Sequence, residues 1–127
     1  MTSLRQDITV TAAPDDVWDA LRDFGALHER LVRGFVVDAK SDGTERVITF
    51  FNGAEVRELL VSVDEDRRRL AYAIVDGFTH YQGAATVVPD GNGSRLVWEV
   101  DLLPDDAAPA VAELMAAGAD AMRRTLT

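Results

Sequence analysis

Arg46 and Glu58 are the residues whose types and spacing could do chemistry, because each interrupts an otherwise apolar alternation. Arg46 shares its parity with Ile48 and Phe50, and Glu58 shares its parity with Val56, Leu60 and Ser62. Side chains alternate between the two faces of a strand, so if the charged residues point inward these neighbours do too. The pair lies six residues before and six after Asn52 of the turn signal Asn52-Gly53, and a tight hairpin there makes them near cross-strand partners. A buried guanidinium can hold a carbonyl group while the carboxylate beside it acts as a base. The same two side chains on the surface form an ion pair worth about 0–1 kcal/mol. Val47, Leu59 and Val61 make the opposite face apolar as well, so alternation alone leaves both arrangements open.

Tyr72, Tyr81 and Trp98 are the next candidates. Each presents an apolar ring with one polar tip, which either orients a ligand in an apolar pocket or packs in a core with that tip hydrogen-bonded. Tyr72 and Tyr81 flank a bend at Gly77 and are expected to face each other across it. His80 neighbours Tyr81 and therefore points the other way, while His28 stands without an obvious partner. Met115 and Gly118 fall on the apolar stripe of a C-terminal helix, where a small residue leaves space and a methionine adapts to what fills it. Two histidines and no cysteine leave little for a transition metal. The acidic clusters Asp15-Asp16, Asp64-Glu65-Asp66 and Asp105-Asp106 lack calcium-loop spacing and are expected to be caps and solvated charge. No nucleotide-binding or nucleophile-elbow motif occurs. No metal and no cofactor is expected.

The elements that must position these residues follow from periodicity. Leu4 to Val10 alternates as a first strand. Pro14 to about Asp23 reads as a helix, with proline and two aspartates in its first turn and Gly25 suited to its C-terminal cap. Leu27 and Leu31 mark a short second helix over Ala26–Leu31. Six strands are then expected, at 35–40, 46–51, 55–63, 70–75, 79–88 and 95–102, separated by turns of hairpin length. The remainder, from about Asp105 to Leu126, is a helix whose stripe is Val111, Leu114, Met115, Gly118, Met122 and Leu126. The order is β, α, α, six β, α: an α+β chain, one domain over residues 1–127, with a curved antiparallel sheet of about seven strands.

Composition narrows the function classes. The 127 residues carry 22 acidic and 13 basic side chains, a formal charge of −9, so neither a nucleic acid nor an anionic membrane surface finds a basic face. No cysteine is present, which excludes disulfides and thiolate metal sites. No apolar run reaches the roughly 20 residues that span a bilayer. Met1–Asp7 lacks the apolar stretch of a secretory signal, and a cytoplasmic protein is expected.

The chain resembles the START-like, Bet v 1-like (SRPBCC) superfamily, and within it the polyketide cyclase/dehydrase type. The residues that carry the resemblance are Ile8-x-Val10-x-Ala12-Ala13-Pro14-x-Asp16-Val17-Trp18-x-x-Leu21-x-Asp23-Phe24, then Arg46, then Glu58-Leu59-Leu60-Val61-x-Val63-Asp64 and Arg69-Leu70-x-Tyr72. Tyr81 and Gly91-x-Gly93-Ser94-Arg95-Leu96-Val97-Trp98 complete it. Relatives commonly place an aromatic residue and a proline after the short second helix, where this chain has His28-Glu29-Arg30-Leu31. The resemblance implies a helix-grip fold, the sheet wrapped around the long C-terminal helix with a largely apolar cavity between them. It implies a small hydrophobic ligand (polyketide, lipid or isoprenoid-like) held there by a carrier or sensor, the protein being a monomer or homodimer. Its alternative is a cofactor-independent cyclase, dehydratase or isomerase using Arg46 and Glu58. Tyr72, Tyr81, Trp98, Phe50, Met115 and Gly118 are the expected ligand contacts.

Overall fold

A computed structural model describes residues 1–127. Strand β1 (Thr2–Val10) leads into helix α1 (Pro14–Arg22), a 3-10 turn (Phe24–Ala26) and the short helix α2 (Leu27–Arg30). Strands β2 (Val36–Ser41), β3 (Glu45–Phe50), β4 (Glu55–Asp64), β5 (Arg69–Ile74), β6 (His80–Asp90) and β7 (Gly93–Leu103) follow, and helix α3 (Ala108–Thr125) ends the chain. The seven strands form one antiparallel sheet in the order β1-β7-β6-β5-β4-β3-β2. The consecutive strands from β2 to β7 are a meander, and β1 joins the sheet beside β7. All three helices pack on the concave face, so the expected helix-grip architecture is the observed one.

Turn chemistry sets the register locally. Between β2 and β3 the Asp42 carboxylate accepts the backbone N–H groups of Thr44 and Glu45, both at 2.9 Å, and these donors pull its pKa down to about 2. Between β3 and β4, Gly53 takes φ +87°, a value a side chain would resist, and Phe50 pairs with Ala54. That loop makes Arg46 and Glu58 direct cross-strand partners.

Two expectations about local structure are corrected. Alternation puts Ser62 on the inner face whenever Glu58 is there, but β4 carries an extra residue. Leu60 pairs with Tyr72 and Ser62 with Ala71, a bulge that takes up Val61 and leaves Ser62 exposed. Gly25 does not cap α1: the helix ends at Arg22 and the chain tightens into the 3-10 turn, Ala26 N–H bonding to Asp23 at 3.0 Å. Glu65 also does more than solvate a turn. It accepts the Trp18 indole N–H at 2.7 Å and the Arg22 guanidinium at 2.9 Å, holding α1 against the β4–β5 turn.

The core is apolar, with Ile8, Val17, Leu96, Val100, Leu102 and Met115 sealed from water. Its buried polar side chains are Arg46, Glu58 and Ser94. Ser94 donates to the Ala12 carbonyl at 2.7 Å, tying the start of β7 to the turn between β1 and α1. Gly93 beside it touches the same turn, and a Cβ there would collide with the Val10 carbonyl oxygen. Replacing Gly93 by alanine should therefore cost about 1–3 kcal/mol in urea unfolding, whereas Gly53→Asn, at an exposed turn, should cost less.

Candidate functional site

Between the sheet and α3 lies a cavity of about 150 Å³. Strand alternation supplies Ile48 and Phe50 from β3, Val56 and Glu58 from β4, Leu70 and Tyr72 from β5, and Tyr81 and Ala85 from β6. The helices supply Leu21, Leu27, Val111, Met115 and Met122, and Leu31 joins them from just after α2. Leu114 also lines it while 43% exposed, so the cavity reaches the surface beside α3.

Twenty of its 22 lining residues are hydrophobic, which leaves Arg46 and Glu58 as the only charged ones. Both are 6% exposed. Two guanidinium nitrogens, Nε at 2.8 Å and Nη2 at 2.7 Å, converge on the same carboxylate oxygen, Oε1. Nη1 donates to the Phe24 carbonyl at 3.1 Å, and the guanidinium lies 4.0 Å from the centre of the Phe24 ring. The arrangement leaves Glu58 Oε2 without a hydrogen bond and not sealed in protein. An unpaired carboxylate oxygen in an apolar cavity accepts a proton or a hydrogen bond from whatever enters.

Tyr72 and Tyr81 form a second polar feature. They are diagonal neighbours rather than opposite each other, because Tyr72 pairs with Gly83, and their rings are 6.3 Å apart. The Tyr72 ring lies over Gly83, where a Cβ would collide with it. Its hydroxyl accepts the Trp98 indole N–H at 3.1 Å. Burial first, then the charge of Glu58, pushes the Tyr81 hydroxyl up to about 12, against a lowering contact from Tyr72. Burial, with Tyr81 and Glu58 adding to it, raises Tyr72 well above the usual phenol value too. Both phenols therefore keep their protons at neutral pH.

Of the residues the sequence nominated, Arg46, Glu58, Tyr72, Tyr81, Trp98, Phe50 and Met115 line this cavity. Gly118 does not, because it lies behind the wall: a Cβ there would come within 3.1–3.3 Å of the Trp98 and Phe35 rings. His28 also lies outside the lining, with a buried Nδ1 that has no partner. Sequence reasoning missed Phe24 as the second partner of Arg46, and Phe78, whose ring sits 4.9 Å from Tyr81. The helical spacing of Leu27 and Leu31 was visible, but not that the pair faces a cavity. No three His, Asp or Glu side chains converge to hold a metal ion.

The family model for polyketide cyclase/dehydrase and lipid transport proteins matches residues 1–127. The chain belongs to that family. The fold is shared with an uncharacterised protein of Bacillus thuringiensis, 18% identical over 98% of both chains with a TM-score of 0.85. XoxI of Bacillus cereus is 18% identical over 99% of this chain and 96% of that one, with a TM-score of 0.86. Norcoclaurine synthase of Thalictrum flavum, Bet v 1-like in fold, has been solved in complex with dopamine and hydroxybenzaldehyde. It is 25% identical over 97% of this chain and 84% of that one, with a TM-score of 0.68. A search of curated proteins finds no match to the sequence. No helix is long and apolar enough to cross a membrane. Family and fold support a ligand-binding or cyclase-type function.

Two outcomes test the electrostatics of the site. Glu58→Ala leaves a buried guanidinium without its carboxylate and should cost about 3–5 kcal/mol in urea unfolding, whereas Arg46→Met with Glu58→Met should be close to neutral. Because the Tyr81 pKa is raised in the folded state, the unfolded chain ionises first. Stability is then full below pH ~10 and falls as pH rises from about 10 towards about 12. Tyr81→Phe should shrink that alkaline loss, measured as unfolding free energy against pH.

Proposed function

We propose that the protein binds a small hydrophobic molecule in the cavity between sheet and α3, as a carrier or sensor. The observation that carries this reading is an apolar cavity with one buried ion pair in its wall. An unfilled apolar void forfeits dispersion contacts that close packing would supply, and a ligand restores them. The ligand contacts in this reading are Phe50, Tyr72, Tyr81, Trp98 and Met115. Gly118 acts indirectly by letting Trp98 and Phe35 close the wall.

A second reading is favoured by the unpaired Oε2 of Glu58. In it the pocket is a cofactor-independent cyclase, dehydratase or isomerase. Glu58 takes a proton from the substrate, Arg46 holds the carboxylate in place, and the protonated Tyr81 hydroxyl donates to the oxygen where negative charge develops. Norcoclaurine synthase, a synthase of the same fold solved with two aromatic molecules, is consistent with it.

Native mass spectrometry after exposure to a lipid and metabolite extract of the source cells distinguishes them. Retention of an unchanged small molecule is the expected result. Ala85→Leu, which fills the cavity wall, should abolish that retention without unfolding the protein. Release of a molecule of altered mass, lost in Glu58→Gln, would move the assignment to the enzyme. If neither retention nor conversion occurs over repeated extracts, ligand binding in this cavity is wrong.

A further inference from the structure

Resting on the binding reading above, the size and charge of the cavity define the chemical class of its ligand. A volume near 150 Å³ is that of a cavity which holds a molecule about the size of benzene. Fused rings and long alkyl chains exceed it unless they protrude beside Leu114 or α3 moves. Charge is equally restrictive. Arg46 and Glu58 cancel each other, and no other lining residue is charged. An anionic ligand would need a cation that Glu58 does not already occupy, and Arg46 bonds to Glu58 Oε1 and the Phe24 carbonyl. A cationic ligand would have to compete with the guanidinium itself. Burying either ion without a partner of its own is costly. What the ion pair itself leaves unsatisfied is an acceptor, Glu58 Oε2.

We infer that the ligand is a neutral, single-ring molecule carrying a hydroxyl or N–H group that donates to Glu58 Oε2. The ring occupies the apolar space between Ile48, Val56, Leu70 and Met115. The lining turns away carboxylates through its balanced charge, and bicyclic or long-chain molecules through its volume.

The test uses the full chain and defined probes in ligand-observed NMR titrations near neutral pH: phenol, benzene, benzaldehyde, benzoate, naphthol and decanoate. Phenol is expected to bind most tightly, and benzoate about tenfold or more weakly than phenol. The ratio of phenol to benzene affinity should fall about tenfold in the Arg46→Met, Glu58→Met double variant, whose apolar pocket retains benzene. Should that variant fail to fold, Glu58→Gln serves. Arg46 would hold the amide oxygen and the amide NH2 would take the place of Oε2, so the preference for phenol over benzaldehyde should be lost. Tighter binding of naphthol or decanoate than of phenol would overturn the size class. An unchanged probe preference in the variant used would overturn the Glu58 anchor. In both cases binding in the cavity would survive. Failure of every probe to bind the folded wild-type protein would overturn the binding reading and this inference together.

Discussion

Arg46 and Glu58 are the two charged side chains this core buries, and much of the architecture around the cavity is arranged to make that tolerable. Removing an ion from water costs several kcal/mol, and the attraction of its partner repays this only with good geometry and further hydrogen bonds. Here the hairpin register makes the two residues direct partners. Two nitrogens of the guanidinium reach the carboxylate, a third reaches the Phe24 carbonyl, and its face lies on the Phe24 ring. The exit of α1, the third strand and the fourth strand are thereby located relative to one another. A one-residue slip of β3 on β4 would turn both charges to the opposite face. The motif that ends at Phe24 thus has a mechanical meaning, since it delivers the backbone oxygen and ring that Arg46 needs.

Small residues shape the rest of the cavity. Gly83 lets the Tyr72 ring lie on the sheet, and Trp98 then reaches the Tyr72 hydroxyl with its indole N–H. Gly118 lets Trp98 and Phe35 approach the backbone of α3. These glycines govern volume through the aromatic rings they admit, without lining the space themselves. Leu114 stands where the cavity meets the surface, and Phe35 packs edge-on against the lining residue Phe50 with ring centres 5.3 Å apart. The polar groups that remain inside are an ion pair whose charges cancel and two phenols that hold their protons, so the interior is neutral although the chain as a whole is strongly acidic.

The outer face of the sheet explains why alternation read ambiguously. Val47 and Leu59 are half-buried there and Val61 is 51% exposed, so apolar residues occupy both faces of β3 and β4. Neighbouring side chains on the sheet shield the first two. Val61 is the residue taken up by the bulge. A pattern of period two cannot reveal an inserted residue, because everything beyond it simply changes parity. That is how Ser62, on the same parity as Glu58, ends on the outside.

The sequence by itself determined the order of elements, the family resemblance, and the pairing of Arg46 with Glu58. Those follow from local turn chemistry and from a periodicity that is the same wherever the strand is placed. It also determined the acidic surface and the apolar stripe of α3. Only the tertiary structure decided which face of the hairpin is inside, because that depends on helices that sit elsewhere in the sequence. Phe24 meeting Arg46, Gly118 lying behind the wall and Tyr72 pairing with Gly83 are of the same kind. Each is a contact between segments whose separation in sequence carries no record of their distance in space. The free oxygen of Glu58 is the sharpest case, since its freedom depends on where a guanidinium, a carbonyl and a ring from three different elements come to rest.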